Sequence, residues 1–154
     1  MPYSIRYCFS QRFAVPTKAA YEWCTNYQPN DHTLTGNSNT KRTVTWLTKS
    51  TVILKEIILT DNGILEKEKL VHLYPDQLMW ISTHLTGPNK YSQFLYQITA
   101  EGAEACRLDF TALHIEHKEN LTQKHLKTLT DELCRGDSDM WRLFAEAMEK
   151  ELNK

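Results

Sequence analysis

From residue 42 to residue 117 the chain spells strand after strand with almost nothing in between. "RTVTWLT" and "TVILKEIILT" flank Lys49-Ser50, and "ILEKEKLVHLY" follows Asp61-Asn62-Gly63. "LMWISTHLT" follows "PDQ", "YSQFLYQITA" follows "GPNK", and "ACRLDFTALHIEH" follows "EGAE". The runs are rich in β-branched and aromatic residues, and the breaks carry the Gly, Pro, Asn, Asp and Ser that turns demand. Breaks this short cannot hold a crossover helix, so consecutive strands must be antiparallel neighbours. Six such strands make a meander. Its one apolar face has to be covered by something else in the chain.

The flanks supply the cover. Tyr3, Ile5, Tyr7, Phe9, Phe13 and Val15 share one parity and Ser4, Arg6, Ser10 and Arg12 the other, which is the pattern of a half-buried strand. Its length lets it pair with the last strand of the meander. Pro16 then stops the ladder and suits a helix entry, with Thr17 as N-cap for residues 18 to 27. The turn-rich segment "NYQPNDHTLTGNSN" has room for a second short helix. At the other end, Asn120 and Gln123 read as a capping box for a helix starting at Leu121, with Leu126, Leu129 and Leu133 as its stripe. Gly136 interrupts, and Asp137 or Ser138 can cap a second segment whose Trp141, Phe144, Ala145, Met148 and Leu152 share a face. This C-terminal stretch alone is long enough to cover the sheet.

Composition narrows the classes of function. At 154 residues the chain is expected to form one domain with a sizeable core. A net charge of −1 with both signs intermixed lacks the basic face of a nucleic-acid binder. "MPYSIRYCFS" is not expected to be a signal peptide, and no stretch approaches a transmembrane span. Cys8, Cys24, Cys106 and Cys134 lie far apart with no C-x-x-C, which reads as reduced thiols in a cytoplasmic protein. The six histidines show no ligand spacing, so neither a metal nor a cofactor is expected.

Strand, short helices, six strands, long helix: this layout resembles the helix-grip fold of the START-like superfamily, also called SRPBCC. The stretches that carry the resemblance are "FAVPTKAAYEW", "LVHLYPDQLMWISTHLTGP" and "DMWRLFAEAMEKEL". It implies an α+β fold over residues 1–154. A seven-stranded antiparallel curved sheet would wrap a long C-terminal helix, with two short helices between strands one and two. It also implies a cavity between sheet and helix that binds a hydrophobic or amphipathic small molecule or lipid, as a carrier or sensor. The alternatives within the superfamily are a polyketide cyclase/dehydrase-type enzyme and a co-chaperone-like interaction module with a filled core. A homodimer stays open.

Strand parity then names the lining. Pairing Thr86 with Tyr91 across "GPNK" sets Thr83 by Phe94, Ile81 by Tyr96 and Met79 by Ile98, and turns Trp80, Ser82, His84, Gln93 and Gln97 outward. The inner face continues through Leu108, Phe110, Ala112 and His114. A two-residue turn at Asn62-Gly63 places Glu56 opposite Lys69, with Val52, Leu54 and Val71 on the same face. The inner polar set is then Glu56, Lys69, Thr83, Tyr96 and His114. Trp23, Trp46, Ile81, Phe94, Phe110, Trp141, Phe144 and Met148 supply the apolar wall. In a catalyst, Glu56, Tyr96 and His114 would move protons. In the plainer reading the same groups are a structural ion pair and satisfied core residues.

Overall fold

The computed structural model describes residues 1–28, 34 and 39–154. Seven strands form one antiparallel sheet in the order β1-β7-β6-β5-β4-β3-β2. They are β1 (Tyr3–Phe13), β2 (Thr40–Thr48), β3 (Thr51–Thr60), β4 (Gly63–Tyr74), β5 (Met79–His84), β6 (Gln93–Ala100) and β7 (Cys106–Glu116). Helix α1 (Thr17–Thr25) follows β1, and helix α2 (Gln123–Leu152) closes the chain. This is the expected helix grip: a seven-stranded sheet holding one long C-terminal helix. Among the described residues one short α-helix, α1, lies between β1 and β2. The second expected there falls on residues 29–33 and 35–38, outside the described residues.

β1 pairs along its whole length with β7, from Tyr3 opposite Glu116 to Phe13 opposite Cys106. Its alternation does what the pattern demands. Ile5, Tyr7, Phe13 and Val15 are buried, while Arg6 and Arg12 are exposed. Pro16 then turns the chain into α1 as its N-cap, with φ −63° and ψ 152°. Thr17, expected in that role, is the first helical residue instead. The fixed φ of proline already suits a helix start, so no side-chain cap is needed.

α2 is one helix of 30 residues and runs straight through Gly136. Gly costs a helix interior only about 1 kcal/mol against Ala, and the apolar stripes on either side outweigh that by packing on the sheet. Its N-terminus lies two residues later than expected. The Thr122 hydroxyl accepts from the His125 backbone N–H, and His125 Nδ1 accepts from the Thr122 N–H. Asn120 takes a left-handed conformation, φ 59°, outside the helix. α2 packs chiefly against β1. Ala14 N–H donates to Glu149 Oε1 at 2.7 Å, and Asn153 Nδ2 donates to the Ala14 carbonyl at 3.0 Å, so the far end of α2 is tied to the end of β1.

Two registers differ from the expected ones. In β3–β4 the loop is Asp61-Asn62, with Thr60 opposite Gly63. Gly63 has φ +122°, a conformation that L side chains rarely adopt, so the glycine ends the turn rather than lying inside it. Glu56 consequently faces Lys67, and Leu54 faces Lys69. The shift is two residues, so every side chain keeps its face. In β5–β6 the shift is one residue and β5 is inverted. Trp80 faces Tyr96 and Ser82 faces Phe94, and the ladder ends with backbone bonds between His84 and both Tyr91 and Ser92. Eight residues, 85 to 92, separate the two strands, and Tyr91 at φ 74° breaks the extended run. Trp80, Ser82 and His84 therefore point inward and are buried. Met79, Ile81 and Thr83 lie on the opposite face. Trp80 explains why this register wins: stacked on Tyr96 with ring centroids 4.8 Å apart, it buries far more apolar surface than Ile81 could.

Candidate functional site

Because α2 leans on β1, the seam there is filled solid by Phe13, Leu108, Ala145 and Met148, each at most 4% exposed. Between the two helices and the inner faces of β2 to β6, a cavity of about 360 Å³ remains. Its aromatic walls are Trp23 and Tyr27 from α1 and the residues after it, Trp80 and Tyr96 from the sheet, and Trp141 and Phe144 from α2. The rings support one another. Trp141 meets Phe144 edge-on at 5.2 Å and lies 5.6 Å from Tyr96, and Trp23 meets Phe144 at 6.3 Å. The Trp23 indole N–H donates to Glu151 Oε2 at 2.9 Å, which fixes the helical rim.

The sheet side carries the polar groups. Arg42, Lys69, Ser82 and Tyr96 all line the cavity. Glu56, directly behind, accepts from Arg42 Nη2 and Lys69 Nζ, each at 3.0 Å on the same Oε1. Burial pushes the Glu56 carboxyl up, but the Lys69 ammonium and the Arg42 guanidinium outweigh it and hold the pKa at about 2. His84 sits nearby on β5 with its Nδ1 3.1 Å from Asn89 Oδ1. Burial, together with the Lys69 and Lys67 ammoniums, pushes this imidazole down to about 3. The Tyr96 phenol is raised, first by burial and then by the Asp137 charge. Asp137 itself is raised by burial, although the Tyr7 hydroxyl donates to it at 2.5 Å.

Of the residues expected to line a site, Trp23, Lys69, Tyr96, Trp141 and Phe144 do so, and Glu56 braces the two cations that do. Phe94, Phe110 and Met148 are core: Phe94 and Phe110 pack on each other at 5.8 Å, and Met148 is wholly buried. His114 is buried beyond the aromatic floor and pairs with Glu116 at 3.1 Å. Ile81 and Thr83 lie on the other face of the sheet for the register reason above. Trp46 has the inward parity of β2 but is 44% exposed, because β2 is the edge strand farthest from the one α2 packs on. Trp80 and Ser82 were missed through that same register. Arg42 was missed although a signal existed, since alternation in β2 puts it on the face of Val44 and opposite Glu56.

Chemically, the cavity offers hydrogen-bond donors and aromatic faces. A carboxylate with a pKa of about 2, held by two cations, is a weak base and no acid at neutral pH. His114 does not reach the cavity lining.

No protein-family model matches the sequence, and no curated protein matches it either. Solved structures do match in fold. The Zhui aromatase/cyclase from Streptomyces sp. R1128 aligns at a TM-score of 0.73 and 13% identity, over 96% of each chain. Norcoclaurine synthase from Thalictrum flavum, solved with dopamine and hydroxybenzaldehyde, aligns at 0.71 and 10% identity, over 99% of this chain and 91% of that one. A protein of unknown function from Staphylococcus aureus aligns at 0.74 and 12% identity, over 99% and 98%. The fold is the helix-grip fold.

Proposed function

We propose that this protein binds a hydrophobic or amphipathic small molecule non-covalently, as a carrier or sensor, in the cavity between the sheet and α2. The observation that carries this reading is the cavity itself: about 360 Å³ walled by six aromatic rings, within the size range of small-molecule sites. A filled interior would have favoured the interaction-module alternative. A cyclase-type enzyme finds less support, because the group best placed for proton transfer, Glu56, is locked between Arg42 and Lys69. Tyr96 remains the residue to orient a ligand oxygen. The reading takes residues 1–154 as a single domain. None of Cys8, Cys24, Cys106 and Cys134 is in a disulfide, which supports a reducing compartment such as the cytoplasm as the place where the protein works.

The test is a fluorescence titration with the neutral probe N-phenyl-1-naphthylamine. Saturable enhancement at micromolar concentration is expected in the wild type. Ser82→Phe, which fills the cavity from the sheet side, should weaken it at least about tenfold through lost pocket volume. No enhancement, or equal enhancement in a folded Ser82→Phe protein, would count against the cavity as the binding site.

A further inference from the structure

The cavity is lopsided in charge and in hydrogen-bonding capacity. Two cations line its sheet side, Arg42 from β2 and Lys69 from β4, and a third, Lys67 of β4, lies beyond the lining on the same face of the sheet. Arg42 and Lys69 share a single carboxylate oxygen of Glu56, and their side chains are only 13% and 23% exposed. Lys67 stands opposite Glu56 in the ladder. Its stem lies against Gly87, and it makes no ion pair within 4.0 Å among the described residues. The other anion whose field reaches Lys69 is Asp137 on α2, already engaged by Tyr7. Lysine and arginine have no acceptor to offer, so what they lack is an acceptor. The buried Nε of Arg42 has none. Two further groups point the same way. Ser82 is 6% exposed and Tyr96 half-buried, both line the cavity, and neither hydroxyl hydrogen-bonds a described residue. Buried cations in excess of their counter-charges, beside unpartnered hydroxyls, are costly unless a ligand completes them.

From this juxtaposition we infer that the ligand is an aromatic or polycyclic organic acid whose carboxylate, or equivalent anionic oxygen, sits against Arg42 and Lys69 within reach of the Ser82 and Tyr96 hydroxyls. Its ring system lies among Trp80, Trp141 and Phe144. The carboxylate of Glu151, at the helical rim, sets the opposite sign at the other wall and favours this orientation. The inference rests on the binding reading above and adds the chemical class of the ligand. No bond is made or broken: Lys69 exchanges part of its contact with Glu56 for the ligand's oxygen.

The experiment compares 2-naphthoate with the neutral 2-naphthalenemethanol by isothermal titration, in the wild type, Lys69→Met and Glu56→Gln. The wild type should prefer the acid by about tenfold or more, the usual worth of a charge-assisted bond. Lys69→Met should remove that preference while the alcohol still binds. Glu56→Gln removes the competing internal anion and should tighten the acid several-fold, even though it destabilises the fold. General loss of structure would weaken both ligands in both variants, so the opposite signs separate the two causes. Equal binding of acid and alcohol in the wild type overturns the anionic-head inference and leaves the cavity reading standing. Weaker acid binding in a folded Glu56→Gln protein also overturns it. Failure of both probes to bind overturns the cavity reading and this inference with it.

Discussion

His84 and Glu56 illustrate how single residues set the response of the fold to acid. The folded-state pKa of His84 is depressed from 6.5 to about 3. Its neutral form therefore contributes stability that is complete above pH 6.5 and is lost as pH falls from 6.5 toward 3. Glu56, depressed from 4.5 to about 2, acts in the same direction but only below pH 4.5. Asp137, raised from 3.8, works oppositely: its protonation in the folded state adds stability as pH falls through its folded pKa. The window between pH 6.5 and 4.5 thus belongs mainly to His84. Linkage allows a loss of about 2 kcal/mol across it. His84→Gln keeps a donor for Asn89 but does not titrate. Subtracting its urea-derived stability curve from that of the wild type should expose this loss between pH 6.5 and 4.5. Parallel curves would mean that His84 is solvated enough to protonate freely.

At the level of elements, two residues of α2 should respond with opposite signs. Trp141 is 7% exposed and touches Phe13, Trp80, Tyr96 and Phe144. Trp141→Ala should cost about 3–5 kcal/mol, the usual range for emptying an aromatic core position. Gly136 lies in the middle of the same helix with open space where a Cβ would go. Gly136→Ala should therefore stabilise by about 0.5–1 kcal/mol. A chemical-denaturation midpoint that rises for Gly136→Ala and falls for Trp141→Ala supports one continuous helix docked on the sheet. A midpoint that falls for Gly136→Ala would indicate that the helix needs a break there. The sheet teaches a related lesson. Alternation revealed the faces of β1, β3, β4, β6 and β7, because each has one strongly apolar parity. It failed on β5, where "MWISTH" offers Met79, Ile81 and Thr83 on one side and Trp80, Ser82 and His84 on the other. Neither set wins by hydropathy alone. The choice is made by a connection whose length depends on the left-handed Tyr91 and by the fit of Trp80 on Tyr96, neither of which has a local signature.

For the whole molecule, topology could be read from turn spacing and strand parity, since a meander plus one long amphipathic stripe leaves few ways to bury an apolar face. The cavity was harder to read. It depends on where α2 leans, and that is settled by contacts remote in sequence: Glu149 with Ala14, Asp137 with Tyr7, Trp23 with Glu151. The first two hold α2 toward β1, the third ties it to α1, and space is left under β2 to β6. The lining consequently mixes expected residues such as Trp23 and Tyr96 with Arg42, Trp80 and Ser82, which were not expected there. That the space is used for a ligand is the central claim, and native mass spectrometry of freshly purified protein tests it most directly. The account predicts a population carrying an added organic mass, released on raising the collision energy and absent from Ser82→Phe. A single apo mass in the wild type, unchanged when the organic acids are added, would contradict it.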